Sequence, residues 1–141
     1  MKCTVGEGYR TKTEDGHIVV ELIGLQATNT PHYSVAHITV PAGTRSVVRR
    51  NRFDEVLIVE SGRGLVTAQE EEYTVEPRAV VWLPAGTQYT VEAHQAEDLT
   101  VWAICVPAFR PEWSTTGKAT VDWRAYRVPQ GIERLRSHRR E

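Results

Sequence analysis

Four polar residues set among apolar runs carry the chemistry that this sequence can support: Arg49, Asn51, Glu55 and Tyr89. Strand side chains alternate between faces with period 2, so Arg49 and Asn51 project the same way. A guanidinium in such a place can grip a carboxylate or enolate oxygen through two parallel hydrogen bonds and stabilise negative charge as it develops. Asn51 can donate to the same oxygen. A carboxylate and a phenol are groups that move protons, and both have their reactivity set by burial and by neighbouring charge.

These residues sit in a frame of fixed spacing. Gly43, five residues, Arg49, one residue, Asn51, three residues, Glu55, six residues and Gly62 form the first block; Arg78, Pro84, Gly86, Tyr89 and Ala93 form the second. The two blocks resemble the cupin motifs G-x5-H-x-H-x3-E-x6-G and G-x5-P-x-G-x2-H-x3-N. Arg49, Asn51 and Tyr89 stand where the three metal-binding histidines belong, Arg78 replaces a glycine and Ala93 an asparagine. The resemblance covers residues 33–109, just over half of the chain. It implies an all-β fold, the cupin double-stranded β-helix or jelly-roll barrel. Residues 1–141 are read as one cupin domain with its core at about 33–109, and 110–141 as a strap and tail.

The resemblance also supplies which face is the lumen. Arg49 and Asn51 are expected to point into the barrel, with Glu55, Leu57 and Val59 on one wall, Tyr89 and Val91 on another, Ser34, Ala36 and Ile38 on a third, and Ser46 near the pocket. The closing strand is apolar on both faces. Counting back from Pro107 puts Trp102, Ile104 and Val106 inward and Ala103 and Cys105 outward; Trp102 is then either a flat cavity wall or a plain core aromatic. Arg49, Glu55 and Tyr89 are the expected catalytic residues, and Asn51, Trp102, Ser34, Ser46 and Ile104 the expected substrate-binding ones. Glu55 is expected to pair with Arg49, and Arg49 to favour the Tyr89 phenolate.

A metal is not expected. Arginine has no lone pair to give, asparagine offers a weak neutral oxygen, and tyrosine ligates well only after losing a proton near pKa ~10. Only Glu55 is a good ligand, and no other cofactor is expected. The same four residues could instead form a self-satisfied polar plug. Interior charges cost several kcal/mol unless paired, which makes such a plug a poor way to fill space.

The elements that must position these groups read as strands at 18–25, 34–40, 56–60, 64–68, 79–83, 88–92 and 99–106, separated by Glu14-Asp15-Gly16, Pro41-Ala42-Gly43, Ser61-Gly62 and Pro84-Ala85-Gly86 turns. No helical period stands out before residues 131–141, which read as a short helical turn or a frayed basic tail. His37 falls on the outward face of its strand, where packing or an interface is expected. His17 and His94 read as solvated turn residues, and His32 as a loop residue able to reach a ligand at the barrel mouth. Asp122, Trp123 and Tyr126 are expected in a strap packed across the outside of the barrel.

Bulk properties exclude several classes. At 141 residues the chain is long enough to bury a core without staples. A formal charge of −1 leaves no electrostatic footprint for nucleic acid or an anionic membrane. No apolar run approaches the ~18 residues of a membrane span, and the N-terminus lacks the apolar core of a signal peptide, so a cytoplasmic protein is expected. Cys3 and Cys105 announce neither a disulfide framework nor a zinc site, and Cys105 reads as a buried, inert thiol.

The leading functional expectation is a metal-independent enzyme that performs acid–base chemistry on a small carbonyl-bearing metabolite: cyclisation, isomerisation, epimerisation or dehydration, in secondary-metabolite biosynthesis. A non-catalytic small-molecule-binding cupin is the alternative, and a metal-dependent dioxygenase with unusual ligands ranks below both. The expected partners are a small-molecule substrate and a second copy of the chain in a homodimer, through outward apolar positions that include His37 and Cys105.

Overall fold

The computed structural model describes residues 1–116. Among them are eleven strands: β1 (Tyr9–Lys12), β2 (Ile18–Ile23), β3 (Ser34–Val40), β4 (Arg49–Asn51), β5 (Asp54–Ser61), β6 (Gly64–Ala68), β7 (Glu71–Val75), β8 (Val80–Leu83), β9 (Gln88–Ala93), β10 (Leu99–Val106) and β11 (Ser114–Thr116). One four-residue helix, α1 (Leu25–Thr28), and two short 3-10 turns complete them. A six-stranded sheet runs β1-β2-β3-β10-β5-β8, and a five-stranded sheet runs β11-β4-β9-β6-β7. Every strand pairing is antiparallel.

The strands read from apolar runs are present, with ends shifted by a residue or two. Beyond these, β1, β7 and β11 went unread, and β4 was read only through the alternation of Arg49 and Asn51. Their sequences, Tyr-Arg-Thr-Lys, Arg-Arg-Asn, Glu-Glu-Tyr-Thr-Val and Ser-Thr-Thr, are short or polar, and β1, β7 and β11 lie at sheet edges. An edge strand needs a partner's backbone more than an apolar face, so hydrophobic alternation does not announce it. Residues 18–25 do not stay extended either, because the chain turns at Gly24, whose φ is +156°, and enters α1. The expected strap residues Asp122, Trp123 and Tyr126, and the basic tail, lie outside the described residues.

The inner faces of the two sheets meet in a core that includes Val40, Leu57, Val59, Val66, Leu83, Val91, Leu99, Val101 and Ala103. This corrects the expectation for the closing strand. Across the β5–β10 ladder Glu55 opposes Cys105, Leu57 opposes Ala103 and Val59 opposes Val101. Directly opposed residues share a face, so once Glu55, Leu57 and Val59 face inward, Val101, Ala103 and Cys105 must as well. Trp102 and Ile104 therefore point outward, and Val106 is 52% exposed. Trp102 packs on its cross-strand neighbour His37 with ring centroids 4.9 Å apart, edge to face, while His37 Nε2 lies 2.6 Å from Glu60 Oε2. A strand apolar on both faces carries no phase of its own; its register does.

Two turn positions show what the motif glycines are for. Gly62 has φ +82°, and a Cβ there would lie 2.0 Å from the Asp98 carbonyl oxygen. Arg78, in the place of the second motif's glycine, also adopts a left-handed φ of +76°, in a Glu76-Pro77-Arg78-Ala79 turn closed by Ala79 N–H donating to the Glu76 carbonyl at 3.0 Å. Being exposed, Arg78 bears only the local steric cost of about 1–2 kcal/mol for a side chain in that region. We expect Arg78→Gly to be neutral to mildly stabilising, because relief of that cost is offset by about 0.4–1 kcal/mol of extra unfolded-state freedom. Gly62→Ala, with a backbone collision added, should cost more than about 2 kcal/mol. Denaturant titrations of the two variants check the contrast, and equal effects would contradict it.

Candidate active site

Between the sheets lies a cavity of about 360 Å³ whose lining includes Glu21, Ser34, Ala36, Ile38, Arg49, Asn51, Glu55, Tyr89, Ala103 and Cys105. The exposed lining residues Tyr9, Phe109 and Glu112 mark its open end. The inward polar groups arrive from several elements: Glu21 from β2, Arg49 and Asn51 from β4, Glu55 from β5 and Tyr89 from β9.

Glu55 and Tyr89 form the centre. The Tyr89 hydroxyl donates to Glu55 Oε1 at 2.6 Å, and both residues are buried. Asn51 Nδ2 lies 3.3 Å from the Tyr89 oxygen and 3.5 Å from Glu55 Oε1. The Cys105 thiol lies 3.5 Å from Glu55 Oε2. Burial pushes the Glu55 carboxyl above the usual glutamate range, against the pull of the Tyr89 and Cys105 hydrogen bonds and of the Arg49 charge. Burial and then the Glu55 charge push the Tyr89 phenol well above its ordinary value, so Tyr89 is a proton donor and not a ready phenolate. Burial and Glu55 likewise push the Cys105 thiol far up, leaving it unreactive.

That overturns the expected Arg49–Glu55 pair and the expected lowering of Tyr89. Arg49 Nη2 instead donates to Asp15 Oδ2 at 3.1 Å. The same Asp15 oxygen accepts the Val47 backbone N–H at 3.1 Å, and Asp15 Oδ1 accepts from the Thr13 hydroxyl. Burial alone would raise Asp15; the Thr13 and Val47 hydrogen bonds and the Arg49 charge hold it down at about 2. With the guanidinium committed to Asp15, Glu55 is left to neutral donors, and the phenol beside it keeps its proton.

Of the other expected site residues, Ser34 lines the cavity, and its Oγ accepts the Phe109 N–H at 3.0 Å. Ser46 is buried but lies outside the lining, its Oγ accepting the Val91 N–H at 2.9 Å. Trp102 and Ile104 face away. His32 is exposed and outside the lining. Asp15, His17, Glu21 and Cys105 line or border the cavity without having been expected there, although Cys105 is the buried, unreactive thiol that its apolar strand implied. His17 is 5% exposed and lines the cavity, not a solvated turn residue. The missed signal was parity: His17, Val19 and Glu21 alternate, and all three line the cavity. Glu21 Oε2 accepts the N–H groups of Gln26 and Ala27 at 2.9 and 2.8 Å, which anchors α1 beside the cavity.

A barrel of two antiparallel sheets enclosing a polar cavity defines the double-stranded β-helix class. A family model described as a cupin domain matches residues 36–107, and the chain belongs to the cupin family. Over 106 residues it is 30% identical to the endoribonuclease YbeY of Myxococcus xanthus, spanning 75% of this chain and 36% of that protein, about a third of its length. An uncharacterized protein of Methanocaldococcus jannaschii is 27% identical over 101 residues, 71% of this chain and 81% of that one. Among solved structures, Pac13 of Streptomyces, described as a nucleoside dehydratase and solved with uridine, superposes with TM-score 0.68 at 19% identity over 83% of this chain and 90% of its own. A salicylate 1,2-dioxygenase of Pseudaminobacter salicylatoxidans gives 0.61 at 16% identity, over 67% of this chain and 27% of its own.

Cupin barrels commonly hold a metal on imidazoles, and the residues here do not fit one. Glu55 is the one strong ligand among the four motif positions, and its two oxygens already serve Tyr89, Asn51 and Cys105. No group of three His, Cys, Asp or Glu side chains among the described residues is arranged to hold a metal ion.

A carboxyl raised by folding binds its proton more tightly in the native than in the unfolded state, so it removes stability as pH rises from the ordinary glutamate value of 4.5 toward the raised one. Glu55→Gln keeps an acceptor for Tyr89 without the charge. Its melting temperature should exceed the parent's at neutral pH, with the gain shrinking as pH falls toward 4.5. Thermal melts across that range test this, and a gain that grows on acidification would contradict it.

Proposed function

We propose that this cupin is an enzyme performing metal-independent acid–base chemistry beside the carbonyl of a small hydroxylated metabolite, with loss of water as the favoured outcome. The carrying observation is the buried 2.6 Å hydrogen bond from Tyr89 to Glu55, at the position where the family's motif has metal-binding imidazoles. In this reading a base lining the cavity takes the proton next to the carbonyl, the C–H pair forms a carbon–carbon double bond and the carbonyl π pair moves onto oxygen. Arg49 and the Asn51 amide face the negative charge that collects there. A departing hydroxyl takes the Tyr89 proton and leaves as water, and solvent returns a proton to the phenolate after product release. Isomerisation and epimerisation share the first step. A barrel of this architecture is described as a nucleoside dehydratase in Pac13, which supports elimination on this scaffold. Self-association in this reading uses the outer face of the six-stranded sheet, where Trp102, Ile104 and Val106 lie; Cys105, facing inward, is not part of it.

The test is solvent deuterium incorporation, followed by proton NMR, in a panel of β-hydroxy aldehydes, β-hydroxy ketones and oxidised nucleosides in D2O. The parent should exchange the proton next to the carbonyl of at least one compound. Tyr89→Phe should slow turnover by about 10²–10⁴-fold while calorimetric binding persists. Arg49→Lys should also lose turnover, because an ammonium cannot reproduce the planar fork. Tight binding with no exchange by the parent would identify a binding module instead.

A further inference from the structure

A buried imidazole that this acid–base scheme does not use lines the same cavity. His17 precedes β2 in the turn that joins it to β1. Its backbone closes that turn: the His17 N–H donates to Thr13 Oγ1 at 3.0 Å, and its carbonyl accepts the Thr13 N–H at 2.8 Å. The ring is free of that task. It is buried, and Nε2 has no hydrogen-bond partner among the described residues. Such an atom forfeits water without compensation. Asn51 Oδ1 and Arg110 Nε, on residues that line the same cavity, are also buried without a partner among the described residues. Three buried polar atoms without partners thus belong to residues that line one cavity, which points to a ligand that supplies those partners.

The charges around the ring fix its form. Asp15 lies two residues away in the same turn, Arg49 reaches in from β4, Glu21 from β2, Glu55 from β5, Tyr89 from β9, and Arg110 with Glu112 lie after β10. Burial pulls the imidazole below its ordinary value of 6.5; Asp15 opposes this and Arg49 adds to it. A neutral imidazole with an open nitrogen accepts a proton. The Tyr89–Glu55 pair, held protonated, gives one.

We propose that His17 is the proton acceptor of this cavity and the Tyr89–Glu55 pair its proton donor, so that one substrate is deprotonated at carbon by His17 and protonated at oxygen by Tyr89. The inference rests on the acid–base reading of the cavity and names a base which that reading leaves open. In the elimination, the C–H proton goes to His17 Nε2 and the C–H pair forms the new double bond. The departing hydroxyl carries its own electron pair and takes the Tyr89 proton to leave as water.

A nitrobenzisoxazole tests the base without knowledge of the natural substrate. Loss of its ring C–H proton to a base turns the C–H pair into the third C–N bond, breaks the N–O bond and releases a coloured phenolate. Full-length protein should catalyse this with kcat/KM rising through a titration below pH 6.5 and level above it. His17→Gln and His17→Ala should each lower kcat/KM by about 10²-fold. Added imidazole should restore His17→Ala, a rescue that a purely structural residue would not give. His32→Gln, an exposed histidine outside the lining, is the control, and thermal melts confirm folding, which the backbone bonds of residue 17 should preserve. Parental kcat/KM in His17→Gln, absence of imidazole rescue, or no elimination by the parent above buffer overturns the proposal. Deuterium exchange that persists in His17→Gln removes His17 while leaving the acid–base reading intact. His17-dependent elimination with no exchange of any carbonyl compound by the parent removes that reading and leaves the base.

Discussion

The ion pair between Asp15 and Arg49 decides which groups are left to pair with Glu55 at the centre of the cavity. A guanidinium loose in the lumen would have drawn toward Glu55, lowered its carboxyl and left a saturated salt bridge at the barrel's centre. Asp15 holds that guanidinium from the side, assisted by Thr13 and the Val47 N–H. Glu55 is left with a phenol, an amide and a thiol, all neutral donors, and burial then dominates its titration. The same pair stitches the β1–β2 turn, which belongs to the six-stranded sheet, to β4 in the other sheet. One contact thus ties the two sheets together on that side and leaves burial to govern the titration of Glu55.

Much of the fold was legible because the constraint that makes it is periodic. Spacing between glycines, prolines and the motif residues records backbone positions that little else satisfies, as the 2.0 Å approach that a Cβ at Gly62 would make to Asp98 shows. Where both faces of a strand are buried or half-buried, as in β10, alternation is silent, and only the ladder opposite Glu55 reveals that Cys105 faces inward and Trp102 outward. The site was half legible for a similar reason. Arg49, Asn51, Glu55 and Tyr89 fall on the motif and could be read; which charge pairs with which could not, because Asp15 is 34 residues from Arg49 and sits in an ordinary-looking turn.

The interior is a poor way to stabilise a barrel. It places carboxyls, a phenol, an amide and an imidazole where apolar side chains would pack at lower cost, and two of their polar atoms find no partner among the described residues. The surrounding core, with Leu99, Val40, Val66 and Phe53 at most 1% exposed, supplies the offsetting stability. Rigid apolar walls also hold the Tyr89–Glu55 geometry without help from a metal, so positioning here comes from packing and register.

Residues 36–107, by which the chain is assigned to its family, contain Arg49, Asn51, Glu55 and Tyr89 but none of Asp15, His17 and Glu21. Those three come from the β1–β2 turn and β2, upstream of the shared segment. The barrel therefore behaves as a socket and the amino-terminal hairpin as an interchangeable insert: two relatives alike throughout the shared segment but different in this hairpin would present different electrostatics to the same cavity. Divergence of activity on this scaffold can proceed by rewriting the cavity-lining positions of that hairpin while Val20 and Leu22 of β2 stay in the core, and transfer of function between relatives is sound only when the alignment reaches back through that hairpin.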